Sequence, residues 1–539
     1  MCEKKIKVRN GKSMHDEEAH ALEHKGWNRR DFLQSAGLFT AGMAATLGGV
    51  PVYAMGSAFK MAPLAALETD RVLVLIQMRG GNDGLNMVID RFNSEYYNIR
   101  PTLGITEANL WALDAKTGMS NRMIDLQPMW NEGKMKVIHN VGYPDPNYSH
   151  FRSSDIWASA SDTDEYVGTG WIGRYIQQDM PAYFDAQPTV PPAMQIGVQT
   201  DLIFQGDEVS LALAVSSPQE FYKLASSGQL YALDQLGNSP RDKELFYLRQ
   251  VANSAFRYSQ SISEAYNKGR NEVNYPNSNL AQQLAIVSRL IKGRLGTKVY
   301  LVYIDGFDTH AEQLDKHLGL LNNLSSAVKA FYDDLGKGQM DDKVLGMTFS
   351  EFGRTIYENG SAGTDHGTGG PMLMFSKDLG QDIVGNPPDL LQVDQYGDPY
   401  FETDFRDVYA SVLSQWFGMP KEVTDFIVGK EREGIPSLLP SQPVEIGTEN
   451  FGALLGHRMD PEKADILWIR YAVNQGGPAV LEILNEGGQV IRTLINQNID
   501  KGAHTLIVDL RRQAIKPGRY NYRLKVGGKI YQRKLEIIE

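Results

Sequence analysis

Short apolar runs alternate along this chain with long stretches of helical periodicity, and that alternation restricts the fold more than any other feature. RVLVLIQM (71–78), KMKVIHNVG (134–142), TKVYLVYIDG (297–306), KVLGMTFSEFG (343–353) and GPMLMFS (370–376) read as strands, the first of them β-branched, apolar and ended by Gly80 and Gly81. Between them, residues 244–268, 279–294 and 314–335 repeat apolar positions at helical spacing. Strands alternating with long helices predict an α/β sandwich: a mostly parallel central sheet with helices on both faces. In such sheets the functional site lies beyond the carboxyl ends of the strands.

The chain of 539 residues is too long for one core. The α/β pattern runs over 68–435. From 456 to 539 the pattern changes to short alternating strands with glycine-containing turns, including AVLEILNEGG, QVIRTLIN and GRYNYRLKVGG. No helical periodicity interrupts them, which predicts a separate all-β unit, an Ig-like sandwich of about seven strands. The proline-rich IPSLLPSQP (435–443) suggests a connecting segment, placed at 436–455. A net charge of −11 argues against nucleic acid as a partner, because phosphate backbones require a basic face.

Residues 1–55 read as a targeting segment. Arg29 and Arg30 stand before Phe32 and Leu33, the weakly apolar SAGLFTAGMAATLGGV follows, and Val52-Tyr53-Ala54 offers a small-residue cleavage site. This pattern resembles a twin-arginine export signal and makes the twin-arginine translocase an expected partner. The single cysteine, Cys2, lies in that segment. The exported chain is therefore expected to lack disulfides and thiolate ligands, and any metal must be held by His, Asp, Glu, Asn or hydroxyls.

Five polar clusters sit at the strand ends. RGGNDGLN (79–86) offers Asn82 and Asp83, although N-D-G is also a common turn. YSHFRSSDIW (148–157) places Ser149 as the N-cap of a helix. There a hydroxyl would sit beside free N–H groups and the positive end of the helix dipole, as nucleophile or merely as cap. Ser153 and Ser154 are weaker candidates. DGFDTHAEQ (305–313) sets Asp308 and His310 two residues apart, so both point the same way in an extended segment, a spacing suited to Zn²⁺ or another divalent ion. SEFGRT (350–355) adds Ser350, Glu351 and Arg354, and GTDHGTGG (363–370) adds Asp365 and His366 in a glycine-rich setting. His139 reads as a core residue of its strand and His317 as a solvated helical one.

Taken in order, LIQMRGGNDGLN, SHFRSSDIW, GWIGRY, DGFDTHAEQ, SEFGRT and GTDHG resemble domain-of-unknown-function family 1501 over about residues 25–430. That family consists of twin-arginine-exported bacterial proteins related to the alkaline phosphatase and sulfatase superfamily. The resemblance implies an alkaline-phosphatase-like fold with one or two divalent ions, zinc first and manganese or calcium as alternatives. It implies Asp83 as the first acidic ligand with Asn82 as substitute, Asp308 and His310 as a ligand pair, Glu351 helped by Ser350, and His366 completing the first shell. It implies Ser149 as nucleophile, with His150 as the alternative at that place.

Two departures accompany the resemblance: Ser350-Glu351 stands where the superfamily has Asp-His, and the spacing from Ser149 to the end of its helix is about one residue off the phosphatase pattern, which leaves His150 at the critical place. A formylglycine sulfatase is disfavoured further, since neither a cysteine nor the required signature is present. The C-terminal unit resembles the Ig-like modules of flagellar hook-capping proteins and the sorting domains of type IX secretion substrates. Type IX or other envelope components are thus further expected partners, and a periplasmic, cell-surface or secreted location is expected. The function so implied is hydrolysis of a small anionic phosphate or related ester, with Arg152 or Arg354 clamping the anion. The alternative is an inactive relative that binds at the envelope or cell surface.

Overall fold

The computed structural model describes residues 45–47, 50–52, 70–179, 189–206, 210–226, 240–419, 421–440, 453–459, 465–473, 476–485, 487–500 and 502–537. The targeting segment lies outside the described residues, save for a short antiparallel pair, Ala45–Leu47 with Val50–Val52.

The central strand is β1 (Val72–Arg79), in which every residue but Arg79 is buried. Side chains alternate between faces, and both sets, Leu73 and Leu75 on one and Val74 and Ile76 on the other, are 0–1% exposed. Both faces of the sheet centre are therefore covered, which explains why its hydrophobicity is continuous rather than alternating. The sheet further contains β2 (Met135–Gly142), β3 (Ala193–Gln195), β4 (Ala212–Ala214), β5 (Val299–Asp305) and β6 (Val344–Phe349). A two-residue hairpin, β7 (Gly353–Arg354) with β8 (His366–Gly367), follows β6 and stands apart from the sheet. Next come β9 (Gly370–Phe375), β10 (Asp382–Val384) and β11 (Thr403–Asp404).

The spatial order is β10-β2-β9-β6-β1-β5-β3-β4, with β11 also on β2. All neighbours are parallel except β9, which runs antiparallel to both β6 and β2. The mostly parallel α/β sheet expected from the sequence is thus present, with one reversed strand. The reversal matters, because it brings the start of β9 to the edge where β1, β2, β5 and β6 end.

The helices that position the site are α1 (His150–Ser159), α2 (Asn279–Lys292) and α3 (Gln313–Lys337). Ser278 caps α2 by accepting from Ala281 N at 3.3 Å. In α3, Leu324, Val328, Phe331 and Leu335 form a stripe that is 0–1% exposed, the face turned to the core.

Residues 436–440 belong to the α/β body: Leu438 and Leu439 lie in its core, and Arg71 Nη1 donates to the Pro440 carbonyl at 3.0 Å. The described residues of the C-terminal unit form antiparallel sheets, compatible with the expected all-β unit. Among the described residues, β12 (Ala453–Met459), β13 (Ile466–Val473) and β16 (Gly502–Asp509) form one sheet in the order β12-β13-β16. The second sheet, in the order β15-β14-β17-β18, contains β14 (Gly477–Asn485), β15 (Val490–Ile499), β17 (Gly518–Val526) and β18 (Lys529–Ile537). Leu467 and Ile469 from the first sheet share one apolar core with Leu481, Ile483 and Leu524 from the second.

Candidate functional site

Three ligand-type atoms converge beyond the ends of β5 and β6. The turn after β5 carries Asp308 and His310, and Asp308 Oδ1 stands 2.9 Å from His310 Nε2. The hairpin β7–β8 pairs Arg354 with His366, and His366 Nε2 lies 3.0 Å from His310 Nε2 and 3.2 Å from Asp308 Oδ1. Glycine makes this approach feasible: a Cβ on Gly363 would fall 2.2 Å from the His310 backbone, and one on Gly367 2.3 Å from that of Arg354. The glycine-rich setting of His366 is therefore a matter of close packing, of Gly363 on the His310 segment and of Gly367 on the facing strand β7.

The first turn of α1 closes the site from the side of β2. The Tyr148 carbonyl accepts from His366 Nδ1 at 2.9 Å, which leaves the neutral ring's Nε2 lone pair facing the cluster. His150 Nδ1 meets Glu351 Oε1 at 2.9 Å, and its Nε2 lies 3.6 Å from Asp308 Oδ2. The donor atoms of His150, Asp308 and His366 all lie within 4.8 Å of one another. Glu351 also takes the Gly80 N–H at 2.8 Å, so its carboxylate orients His150 from behind. Phe352 packs against both the His150 and His366 rings, with centroids 4.8 and 4.4 Å away, and those two rings meet edge to face at 4.6 Å.

Burial alone would raise the Asp308 carboxyl, but three imidazoles and the Arg354 guanidinium outweigh it and hold the group well below the usual carboxylate range. Burial would likewise lower His150, but the carboxylates of Asp308 and Glu351 outweigh it and hold the ring at about 9. The donor set fits a divalent cation. Two imidazole nitrogens and a carboxylate oxygen, spaced 2.9–3.2 Å apart, match neighbouring ligand atoms of a shell with metal–ligand distances of about 2.0–2.2 Å. Asp308, with its side chain 47% exposed, gives that point access to solvent.

The remaining sequence candidates take other places. Ser149 precedes the first residue of α1 with extended backbone and makes no capping hydrogen bond. It is bracketed by Tyr148, tied to His366, and His150, tied to Glu351. Asp83 does not join the cluster: it is fully buried, paired with Arg100 Nη1 at 2.6 Å and bonded by the Gln313 amide. Asn82 Oδ1 accepts from His317 Nε2 at 3.0 Å. His317, expected to be solvated, is fully buried, because α3 lays it on the loop after β1.

Ser350 Oγ donates to the Met78 carbonyl at 2.6 Å and accepts the Asn82 N–H at 3.0 Å. Ser153 Oγ donates to the Glu351 carbonyl at 2.5 Å. Neither arginine presents itself to a substrate anion. Arg152 donates to the carbonyls of Asp162, Thr163 and Glu165. Arg354, fully buried, donates to the carbonyls of Gly80, Gly81, Phe307 and Thr364 and to Asp308 Oδ1. Both act as staples for loops. Sequence reasoning missed Arg100, Gln313 and Phe352. Gln313 and His317 stand four residues apart at the start of a helix, a spacing that could have flagged a shared face.

No curated protein matches the chain. Solved structures to which it is similar include a protein in the alkaline phosphatase superfamily from Vibrio parahaemolyticus, 11% identical, with 90% of this chain and 93% of that one covered and a TM-score of 0.28. The PsFucS1 sulfatase from Pseudoalteromonas sp. is 11% identical, with 82% and 84% covered and a TM-score of 0.27. The alkaline phosphatase of the Antarctic bacterium TAB5 is 10% identical, with 60% and 95% covered and a TM-score of 0.25. At such scores the backbones differ too much for any residue role to be transferred. The family match spans less than the expected 25–430 and leaves the RGGNDGLN loop outside, but contains Ser149, Asp308, His310, Glu351 and His366. Residues 130–375 match the model of the family described as Protein of unknown function (DUF1501).

Proposed function

We propose that this chain is an exported, metal-dependent hydrolase of phosphate or related esters, with Ser149 as nucleophile. The observation that carries the reading is the convergence of Asp308 Oδ1, His310 Nε2 and His366 Nε2 at 2.9–3.2 Å beside an uncapped serine at a helix start. Asp308, His310 and His366 would hold the ion, with His150 as the next nitrogen. Zinc suits this donor set, with manganese or calcium as alternatives. When bound, the ion supplies Lewis-acid stabilisation of charge on the transferred group.

The chain's own groups supply the rest. The N–H groups of the first turn of α1 have no partners within the helix and face an anion favourably. Ser149 Oγ attacks phosphorus, its O–P bond forming as the ester P–O bond breaks, and the proton lost by the serine ends on the departing alcohol. Water then cleaves the seryl ester and restores the hydroxyl. His150 stays oriented by Glu351 throughout.

The test is metal content and turnover of the full chain with p-nitrophenyl phosphate and bis(p-nitrophenyl) phosphate. Stoichiometric zinc, manganese or calcium, turnover abolished by chelation, and Ser149→Ala inactive with its metal retained are the expected results. Full turnover by Ser149→Ala refutes the nucleophile. A second reading, a metal-holding binding protein at the envelope, is favoured by one observation: the guanidinium groups of Arg152 and Arg354 are spent on backbone carbonyls. Bound metal without turnover of either ester supports it.

A further inference from the structure

We propose that Gln313 is a positioning residue that sets the spacing of the two histidine-bearing loops, an inference that rests on the metal-site reading above. Gln313 opens α3 and is fully buried. Its Oε1 accepts two hydroxyls, from Thr309 Oγ1 at 3.0 Å and Thr364 Oγ1 at 2.7 Å. Thr309 lies between Asp308 and His310, and Thr364 stands two residues before His366. One amide oxygen thus ties together both segments that carry the converging atoms.

The amide's other end is fixed as well. Gln313 Nε2 donates to Asp83 Oδ2, and that same oxygen accepts Arg100 Nη1 at 2.6 Å. An ionised carboxylate only accepts, so the NH₂ must face Asp83 and the oxygen must face the threonines. The main chain reinforces the arrangement: Gln313 N donates to the Ala362 carbonyl at 2.9 Å, Glu312 N to the Ser361 carbonyl at 3.0 Å, and Thr364 N to the Thr309 carbonyl at 3.2 Å. The loop before His366 is therefore docked on the start of α3 by backbone and side chain together. One helical turn on, His317 fastens Asn82, so the same face of α3 grips the neighbouring pair Asn82 and Asp83.

Only an amide serves all three partners. Glutamate would set a second carboxylate against Asp83, and methionine, of similar size, would satisfy none of them. Gln313 bonds neither histidine and acts through Thr309 and Thr364, so its removal should weaken metal binding by no more than the roughly 10–100-fold typical of groups bonded directly to metal-binding histidines.

The experiment measures Zn²⁺ affinity by chelator competition on the full chain, alongside Tm, for Gln313→Met, Gln313→Glu and Thr364→Val. The control is Leu335→Ala, a buried position farther along the same helix. The expected result is Zn²⁺ binding weakened by about 10-fold, the lower end of the range for groups bonded to the ligands, in both Gln313 variants and weakened in the same direction in Thr364→Val. Leu335→Ala should lower Tm and leave affinity unchanged, which separates positioning from general loss of stability. Wild-type affinity in Gln313→Met overturns the proposal and leaves the metal site standing; if that variant does not fold, wild-type affinity in Thr364→Val does the same. A wild-type chain that binds no Zn²⁺ overturns both.

Discussion

Arg100→Met should destabilise the α/β domain by about 3–5 kcal/mol, the range expected when one partner of a buried ion pair is removed. Arg100 donates to Asp83 Oδ2 at 2.6 Å, to Asn86 Oδ1 at 2.9 Å, and to the carbonyls of Thr355 and Ile356 at 2.9 and 2.8 Å. The two charged side chains are 0% and 1% exposed, so no water can replace what is lost. Burial pushes the Asp83 carboxyl up, yet Arg100 and its neighbours outweigh this and hold it below its ordinary value; without the guanidinium, Asp83 must take a proton or remain an unpaired buried charge. The internal comparison is Arg91→Met. Arg91 meets Glu107 at a similar 2.8 Å, but Glu107 is 53% exposed, and the loss should stay below about 1 kcal/mol. Urea unfolding followed by tryptophan fluorescence at pH 7 reads both variants. A cycle with Asp83→Asn should show the double variant well short of additive, because the second change removes the charge stranded by the first. Equal losses for Arg100→Met and Arg91→Met, or an additive cycle, would refute the claim that burial rather than distance sets the worth of this pair.

Two further outcomes follow from the same geometry. Burial raises the Asp155 carboxyl to about 6, so the folded state holds its proton more tightly than the unfolded one, and this group's own contribution to stability, about 3 kcal/mol in all, is lost as pH rises from about 4 through 6. Asp155→Asn should remove that slope, which urea midpoints across pH 4–7 would reveal; an unchanged slope contradicts the assignment. Gly363→Ala would place a Cβ 2.2 Å from the His310 backbone and should cost about 1–3 kcal/mol while weakening Zn²⁺ binding; a variant with wild-type Tm and affinity shows that the loop has room to give.

Much of the sheet was readable because burial on both faces leaves a continuous apolar run; the two-residue spacing singled out Asp308 and His310, but they meet in a turn, where the Thr309 N–H donates to the Phe307 carbonyl at 2.8 Å, and not on one side of an extended segment. Direction was not readable. Periodicity is the same whichever way a strand runs, so nothing in GPMLMFS announced that β9 is reversed. Yet that reversal makes the site: in a wholly parallel sheet a cluster preceding its strand would lie at the opposite edge from those following theirs, and His366 could not reach Asp308.

Partner choice was equally hidden. The acid in RGGNDGLN and the one in DGFDTH look alike as letters. What divides them is Arg100, which arrives from an ordinary stretch to neutralise Asp83 in the interior, whereas Asp308 faces three imidazoles and solvent. The arginines show the converse. Arg152 and Arg354 sit within motifs that suggest anion binding, but carbonyl oxygens left over by tight turns claim them first, since a buried carbonyl without a donor costs as much as a lost hydrogen bond. The loops that carry the candidate ligands are irregular, and irregular backbone must be satisfied by side chains. The charged residues of these motifs therefore divide between chemistry and scaffolding according to how many turns the backbone makes around the site, a count that no one-dimensional pattern contains.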